Sequence, residues 1–498
     1  MNVNPITRLD YPDPDVIRVE DTYYMVSTTM HFMPGCEILQ SFDLVHWEHV
    51  TYVYETLDHT DAQQLKSGQN IYGQGMWAAS LRYHEGRFYI CFVANDTRKT
   101  YLYTSEKIDG PWKKQLIEGF YHDGSLLFDE DGRSYIVYGN DEIWITELNE
   151  DLTAPKKDGL HRLLVSDHKN PELGYEGSHI QKINGYYYIF LVHSLRDRWM
   201  RTEACFYSDS LEGEFTGGDV LCDDRGYCGQ GVAQGGIVDT PDGKWYAMLF
   251  QDSGAVGRIP ILLPVTWKDH FPVFGQNGHV PEEIEVHSTR PGYIYQPLVG
   301  SDDFCNGLLP RWQFNHDPDP RYYHLDALQG TYTITTREVC TELTQAVNTL
   351  TQRMSYPSCA AEVTVDASAL KEGDVAGLCA LQGCYAAVGI TKHHGKYEVL
   401  MLDKKEDGIL DMTEGTVVES HQMDFRLEAD FCNMKDEARC YYRVNKGDWL
   451  PIGTVHKLYF KLDHFTGCRF GLFCYAAEET GGSACFRDFK YYDVDEIS

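Results

Sequence analysis

From Asp13 to Trp267 the chain repeats short apolar runs rich in Tyr, Val, Ile, Phe and Trp, separated by Gly, Asp and Asn. That is the pattern of antiparallel strands and tight turns, and long helical periodicity is nearly absent. One unit recurs: an apolar strand, a polar turn usually ending in Gly, then a second strand with a Tyr at a fixed place. Its copies are Ile17–Tyr24, Leu81–Tyr89, Leu127–Tyr135, Ile180–Tyr188 and Val238–Tyr246. The marker tyrosines are 65, 46, 53 and 58 residues apart, close to the length of a four-stranded sheet with its turns. Five copies predict a five-bladed β-propeller over residues 1–297.

Near Leu298 the texture changes. Tyr295–Phe304 reads as a connector, and no copy of the unit follows it. Ala361–Asp366, Tyr397–Leu402 and Phe425–Asp430 alternate more cleanly, and turns such as Lys446-Gly447 separate such runs. A two-sheet β-sandwich over residues 298–498 is the expected solution, making the chain all-β.

Composition narrows the partners. With 43 Lys and Arg against 75 Asp and Glu, the net charge of −32 disfavours nucleic acid and anionic membrane surfaces. No apolar run approaches the roughly 18 residues of a membrane helix, and the N-terminus shows neither a basic nor an apolar leader segment, so a cytoplasmic location is expected. The 15 cysteines form no Cys-x-x-Cys pair and read as reduced, mostly buried thiols. His393-His394 reads as an exposed turn and a second Asp-Pro-Asp-Pro, at Asp317–Pro320, as a loop, because neither has the spacing of a site.

The repeat also serves as a ruler. Twelve residues before the marker Tyr stand Trp77, Asp123, Glu176 and Gln234 in blades two to five, and eleven before it in blade one stands Asp13. Rotation about a propeller axis brings equivalent positions to one mouth of the channel. Three of the five are acids, where 75 acids in 498 residues predict fewer than one. Crowded carboxylates shift one another's proton affinity, a cost better explained by function than by folding. A Trp and a Gln beside them fit a sugar, which has an apolar face and many hydroxyls. Glycosidic cleavage needs two carboxyl groups, one to protonate the leaving oxygen and one to activate water or attack carbon.

The run Tyr11–Arg18, with Asn4-Pro5 before it and Asp21–Ser27 and Ser41–Trp47 after it, resembles the opening of glycoside hydrolase family 43. His122–Leu127 and Tyr175–His179 resemble that family's other two catalytic segments, and Ser301–Phe304 onward resembles the concanavalin A-like sandwich of its β-xylosidase and α-L-arabinofuranosidase members. The resemblance implies Asp13 as general base, Glu176 as general acid and Asp123 as the group that tunes and orients. It also implies inversion of the anomeric centre, with Trp77 and Arg258 in contact with sugar. Gln234 stands where many members have a His that helps hold calcium. An amide is the poorer anchor, so no metal is assigned, no cofactor is required for the chemistry, and a structural calcium is left open. The segment Thr29–Gly35 differs from the aromatic-rich loop of β-xylosidases, and His31 and Phe32 either line the sugar pocket or cap blade one.

These readings converge on an exo-acting hydrolase that releases arabinofuranose or xylose from short oligosaccharides. A non-catalytic carbohydrate-binding propeller and an arabinan-directed hydrolase are the alternatives. The Arg-Asp-Pro and Glu-Cys signatures of retaining fructan-processing propellers are absent. The sandwich is expected either to bind sugar or, preferably, to wall the pocket, and a homo-oligomer is compatible with the resemblance.

Overall fold

The computed structural model describes residues 2–493; residues 1 and 494–498 of the two expected spans lie outside the described residues. Five four-stranded antiparallel sheets follow one another along the chain. They begin with strands Asp15–Val19, Met76–His84, Ser125–Phe128, Glu176–Ile183 and Val232–Asp239. Each marker tyrosine sits on the second strand of its blade, opposite Ile17, Arg82, Leu127, Gln181 and Val238 in turn. The repeat is therefore one hairpin used five times.

The apolar positions of these hairpins pack between blades. Five clusters each join neighbouring sheets, for example Ile38 with Leu81 between blades one and two, and Tyr135 with Ile189 between blades three and four. The fifth joins Met25 and Leu39 of blade one to Tyr246 and Leu262 of blade five and closes the ring. Asn4 fastens this closure, its amide donating to Leu262 O at 2.8 Å and accepting from Leu262 N at 3.1 Å.

The C-terminal part is a β-sandwich of two antiparallel sheets. Its seven-stranded sheet runs from Tyr323–Asp326 at one edge to Leu450–Lys457 at the other. The opposing sheet ends in an unexpected way: beyond Gln313–Asn315 its outermost strand is Phe32–Met33, supplied by the propeller. Ala255, Val256 and Ile259 of blade five likewise share one core with Trp312, Leu378 and Phe486 of the sandwich. A buried ion pair, Arg353 Nη1 to Glu37 Oε2 at 2.9 Å, spans the same joint. The two parts are thus packed as one body. All fifteen cysteines are free thiols, and nine are buried.

Candidate active site

The inner strand of each blade enters the channel through a backbone irregularity. Asp13, Asp123 and Gln234 have φ of 53°, 48° and 68°; in blades two and four the next residue takes this role, Ala78 at 28° and Gly177 at 66°. Register shifts follow Trp77, Glu176 and Ala233. Positive φ is costly for a residue with a Cβ and is found where a side chain must be aimed. The ruler positions therefore coincide with the backbone break at which each inner strand begins.

The three acids meet there. Asp13, only 7% exposed, accepts from Arg258 Nη1 at 3.1 Å and from the Thr28 hydroxyl. Asp123, 6% exposed, accepts from the Gly177 amide at 2.9 Å. Glu176 Oε2 accepts from Asn140 Nδ2 at 2.6 Å and faces His122 Nε2 at 3.4 Å, and the same imidazole nitrogen lies 3.5 Å from Asp123 Oδ2. The Asp123 charge, opposed by burial and aided by Glu176, raises His122 to about 9, so the ring is an imidazolium at neutral pH. Burial drives Asp123 up to about 6; the His122 charge opposes this, while Glu176 and Asp13 add to it.

Above the acids opens a cavity of about 640 Å³, within the size range of small-ligand pockets. Trp77, His122, Asn140, Glu176 and Arg201 line it from the propeller, and Met434, Phe460, Lys461, Leu462 and Phe465 line it from the sandwich. Phe465 stacks obliquely on Trp77 at 5.5 Å and lies 4.3 Å from the Arg258 guanidinium. Arg201 is fixed by Asp252 Oδ2 at 2.8 Å. A second cavity, of about 410 Å³, lies at the other end of the same inner strands. Its charges are spent on one another: Arg18 on Asp239, Arg82 on Asp15, Lys182 on Asp129.

Trp77 thus lines the cavity, and Arg258 holds Asp13 from below. Two expectations need correction. Phe32 and His31 do not line this cavity. The Met33-Pro34 segment is drawn into the sandwich sheet, where Phe32 pairs with Asn315 and packs 3.5 Å under the Arg469 guanidinium. His31 is fully buried among His316, Tyr72 and His464. Gln234 is also buried, packed so closely on Gly177 that a Cβ there would lie 2.7 Å from its Cγ. It supports the backbone beside Glu176 rather than facing the cavity. Arg201, Asn140 and the sandwich residues escaped the sequence reading because none lies at the repeated register; His122 alone had a signal, its place beside Asp123.

Calcium requires about six to eight oxygen ligands. The metal-capable side chains that gather within 4.8 Å of one another, among the described residues, are His122, Asp123 and Glu176. One imidazole nitrogen and two carboxyl groups fall short of that number by themselves, and Gln234, packed on Gly177, brings a single amide.

The family model for glycosyl hydrolases family 43 matches residues 3–272, more than half of the chain. The chain belongs to glycosyl hydrolases family 43. A second model, the beta xylosidase C-terminal concanavalin A-like domain, matches residues 301–492. A beta-xylosidase of Formosa agariphila is 27% identical over 99% of this chain and 89% of its own length. A non-reducing end alpha-L-arabinofuranosidase of Bacteroides ovatus is 26% identical over 66% of this chain and 63% of its own. Among solved structures, a bifunctional GH43-CE protein of Bacteroides eggerthii superposes with a TM-score of 0.93 at 42% identity and full coverage of this chain. The present chain spans 64% of that longer protein. Family membership makes the protein a glycosidase.

Proposed function

We propose that this family 43 enzyme is an exo-acting, inverting glycosidase releasing α-L-arabinofuranose or β-D-xylose from the non-reducing ends of xylan-derived oligosaccharides. The observation that carries this reading is the meeting of Asp13, Asp123 and Glu176 beneath a cavity whose far wall belongs to the sandwich. A wall of Phe460, Leu462 and Phe465 obstructs a long chain from running through and favours a sugar entering end-on. Trp77 and Phe465 offer apolar faces for a pentose ring.

In the proposed reaction the Glu176 carboxyl gives its proton to the glycosidic oxygen as the bond to the anomeric carbon breaks. The bonding electron pair leaves with that oxygen. Asp13, with hydrogen bonds on both oxygens, accepts a proton from the water that attacks the opposite face. Asp123 sets the charge between them and orients His122. Arabinofuranose and xylopyranose offer similar hydroxyl patterns, so one site serves both at different rates. Short oligosaccharides as substrates agree with the proposed cytoplasmic location.

The test is hydrolysis of aryl α-L-arabinofuranoside and aryl β-D-xylopyranoside, with the first-formed anomer read by NMR and the products of xylo-oligosaccharides sized. Release of single sugars with inverted configuration is expected. Internal cleavage, retained configuration or binding without turnover overturns the proposal.

A further inference from the structure

Glu176 is asymmetric in its surroundings. Oε2 receives Asn140 Nδ2 at 2.6 Å and faces His122 Nε2 at 3.4 Å, while Oε1 takes no hydrogen bond from the described residues. The Glu176 side chain is 18% exposed and lines the cavity, so its unoccupied oxygen is the one free to meet a ligand. The His122 ring is itself held: Nε2 is 3.5 Å from Asp123 Oδ2, and Trp77 lies 6.2 Å from the ring. As an imidazolium it has a hydrogen on each nitrogen, so it donates and does not accept. Two donors aimed at one carboxyl oxygen disfavour a proton on that oxygen, because N–H and O–H would meet hydrogen to hydrogen.

We propose that His122, together with Asn140, is a positioning residue that gives the two oxygens of Glu176 different roles: Oε2 accepts hydrogen bonds, and Oε1 carries the transferable proton into the cavity. This rests on Glu176 being the general acid. A carboxylic acid whose proton can sit on either oxygen protonates a leaving group only in the fraction of molecules with the right one loaded. Fixing the proton on Oε1 removes that loss before substrate arrives. The charged groups that act on the ring or share its cavity are Asp123 on its own segment, Glu172 from the loop before blade four, Glu176 and Arg201 from blade four, Asp13 from blade one, Asp252 from blade five and Lys461 from the sandwich.

The test is leaving-group dependence of kcat/KM in His122→Phe, His122→Gln and Asn140→Leu, with wild type and Glu176→Gln alongside and folding checked by circular dichroism. For a phenol of high pKa, which needs the acid, His122→Phe is expected to lose about 100-fold, well beyond the roughly twofold of a misplaced proton, because the carboxyl also loses its aim at the leaving oxygen. For a dinitrophenol, which leaves unaided, the loss is under about threefold, since protonation then contributes little. Asn140→Leu shows the same split, and His122→Gln, which keeps an N–H donor, recovers most of the activity. Equal losses on both leaving groups, or a His122→Gln variant no better than His122→Phe, overturn the inference. An inactive wild type, or a Glu176→Gln variant as active as wild type, instead overturns the hydrolase reading on which it rests.

Discussion

At the scale of single residues the site is a charge balance. Asp13 faces Arg258, while Asp123 and Glu176 share His122. Because Asp123 is raised to about 6, it is ionised above that pH and takes up a proton below it. Activity that depends on its charge therefore falls as pH drops through about 6. Profiles of kcat/KM for wild type and Asp123→Asn check this: the acidic limb is present in the first and absent from the second, whose activity is low throughout. The three acids were legible in the sequence because each lies eleven or twelve residues before a repeated Tyr. Asn140 and Arg201 were not, since they come from blade positions that the repeat does not mark. No repeat could reveal that the Arg258 guanidinium would be used on Asp13, because residues 245 positions apart meet only when the ring closes.

At the scale of elements, the segment carrying Phe460, Lys461, Leu462 and Phe465 decides what enters. The segment is anchored at its end by Cys468 N to Ala255 O at 2.8 Å and by Gly467 N to Asp10 Oδ2 at 2.8 Å, so the wall is fastened to the propeller floor. Phe465→Ala is expected to raise KM for an aryl pentoside by about tenfold, the worth of one aromatic contact, with a smaller change in kcat. Steady-state kinetics measures this, and an unchanged KM contradicts the assignment. The five hairpins were legible from their period, and the sandwich from its alternation. The strand Phe32–Met33 was not, because its apolar residues satisfy the rule for capping blade one equally well. Only its pairing with Phe314 and Asn315 shows that it serves the other sheet.

At the scale of the whole molecule, the joint between propeller and sandwich holds buried groups sensitive to acid. Burial, with neighbouring positive charges, depresses His31 and His316 well below the ordinary histidine value, and His464 falls to about 4. Each is neutral in the folded protein, while the unfolded chain binds a proton near 6.5. Their contribution to stability is therefore full above about 6.5 and is lost as pH falls through 4. Glu37 accounts for a later loss: burial opposes it, but the Arg353 charge and His49 bring it down to about 2 from 4.5. Its share is present above about 4.5 and lost toward 2. The thermal midpoint is expected to decline between pH 7 and 4.5, and less steeply in the His31→Phe, His464→Phe double variant; a midpoint that is flat over this range contradicts the reading.

In the proposed reaction Asp13 and Glu176 act as a pair across one glycosidic bond. The most direct test is turnover of one aryl pentoside by wild type, Asp13→Asn and Glu176→Gln, with substrate binding measured by calorimetry in all three. Each variant is expected to bind sugar yet lose at least about 100-fold in kcat, as removal of a positioned acid or base does. Either variant turning over at the wild-type rate would contradict this pairing.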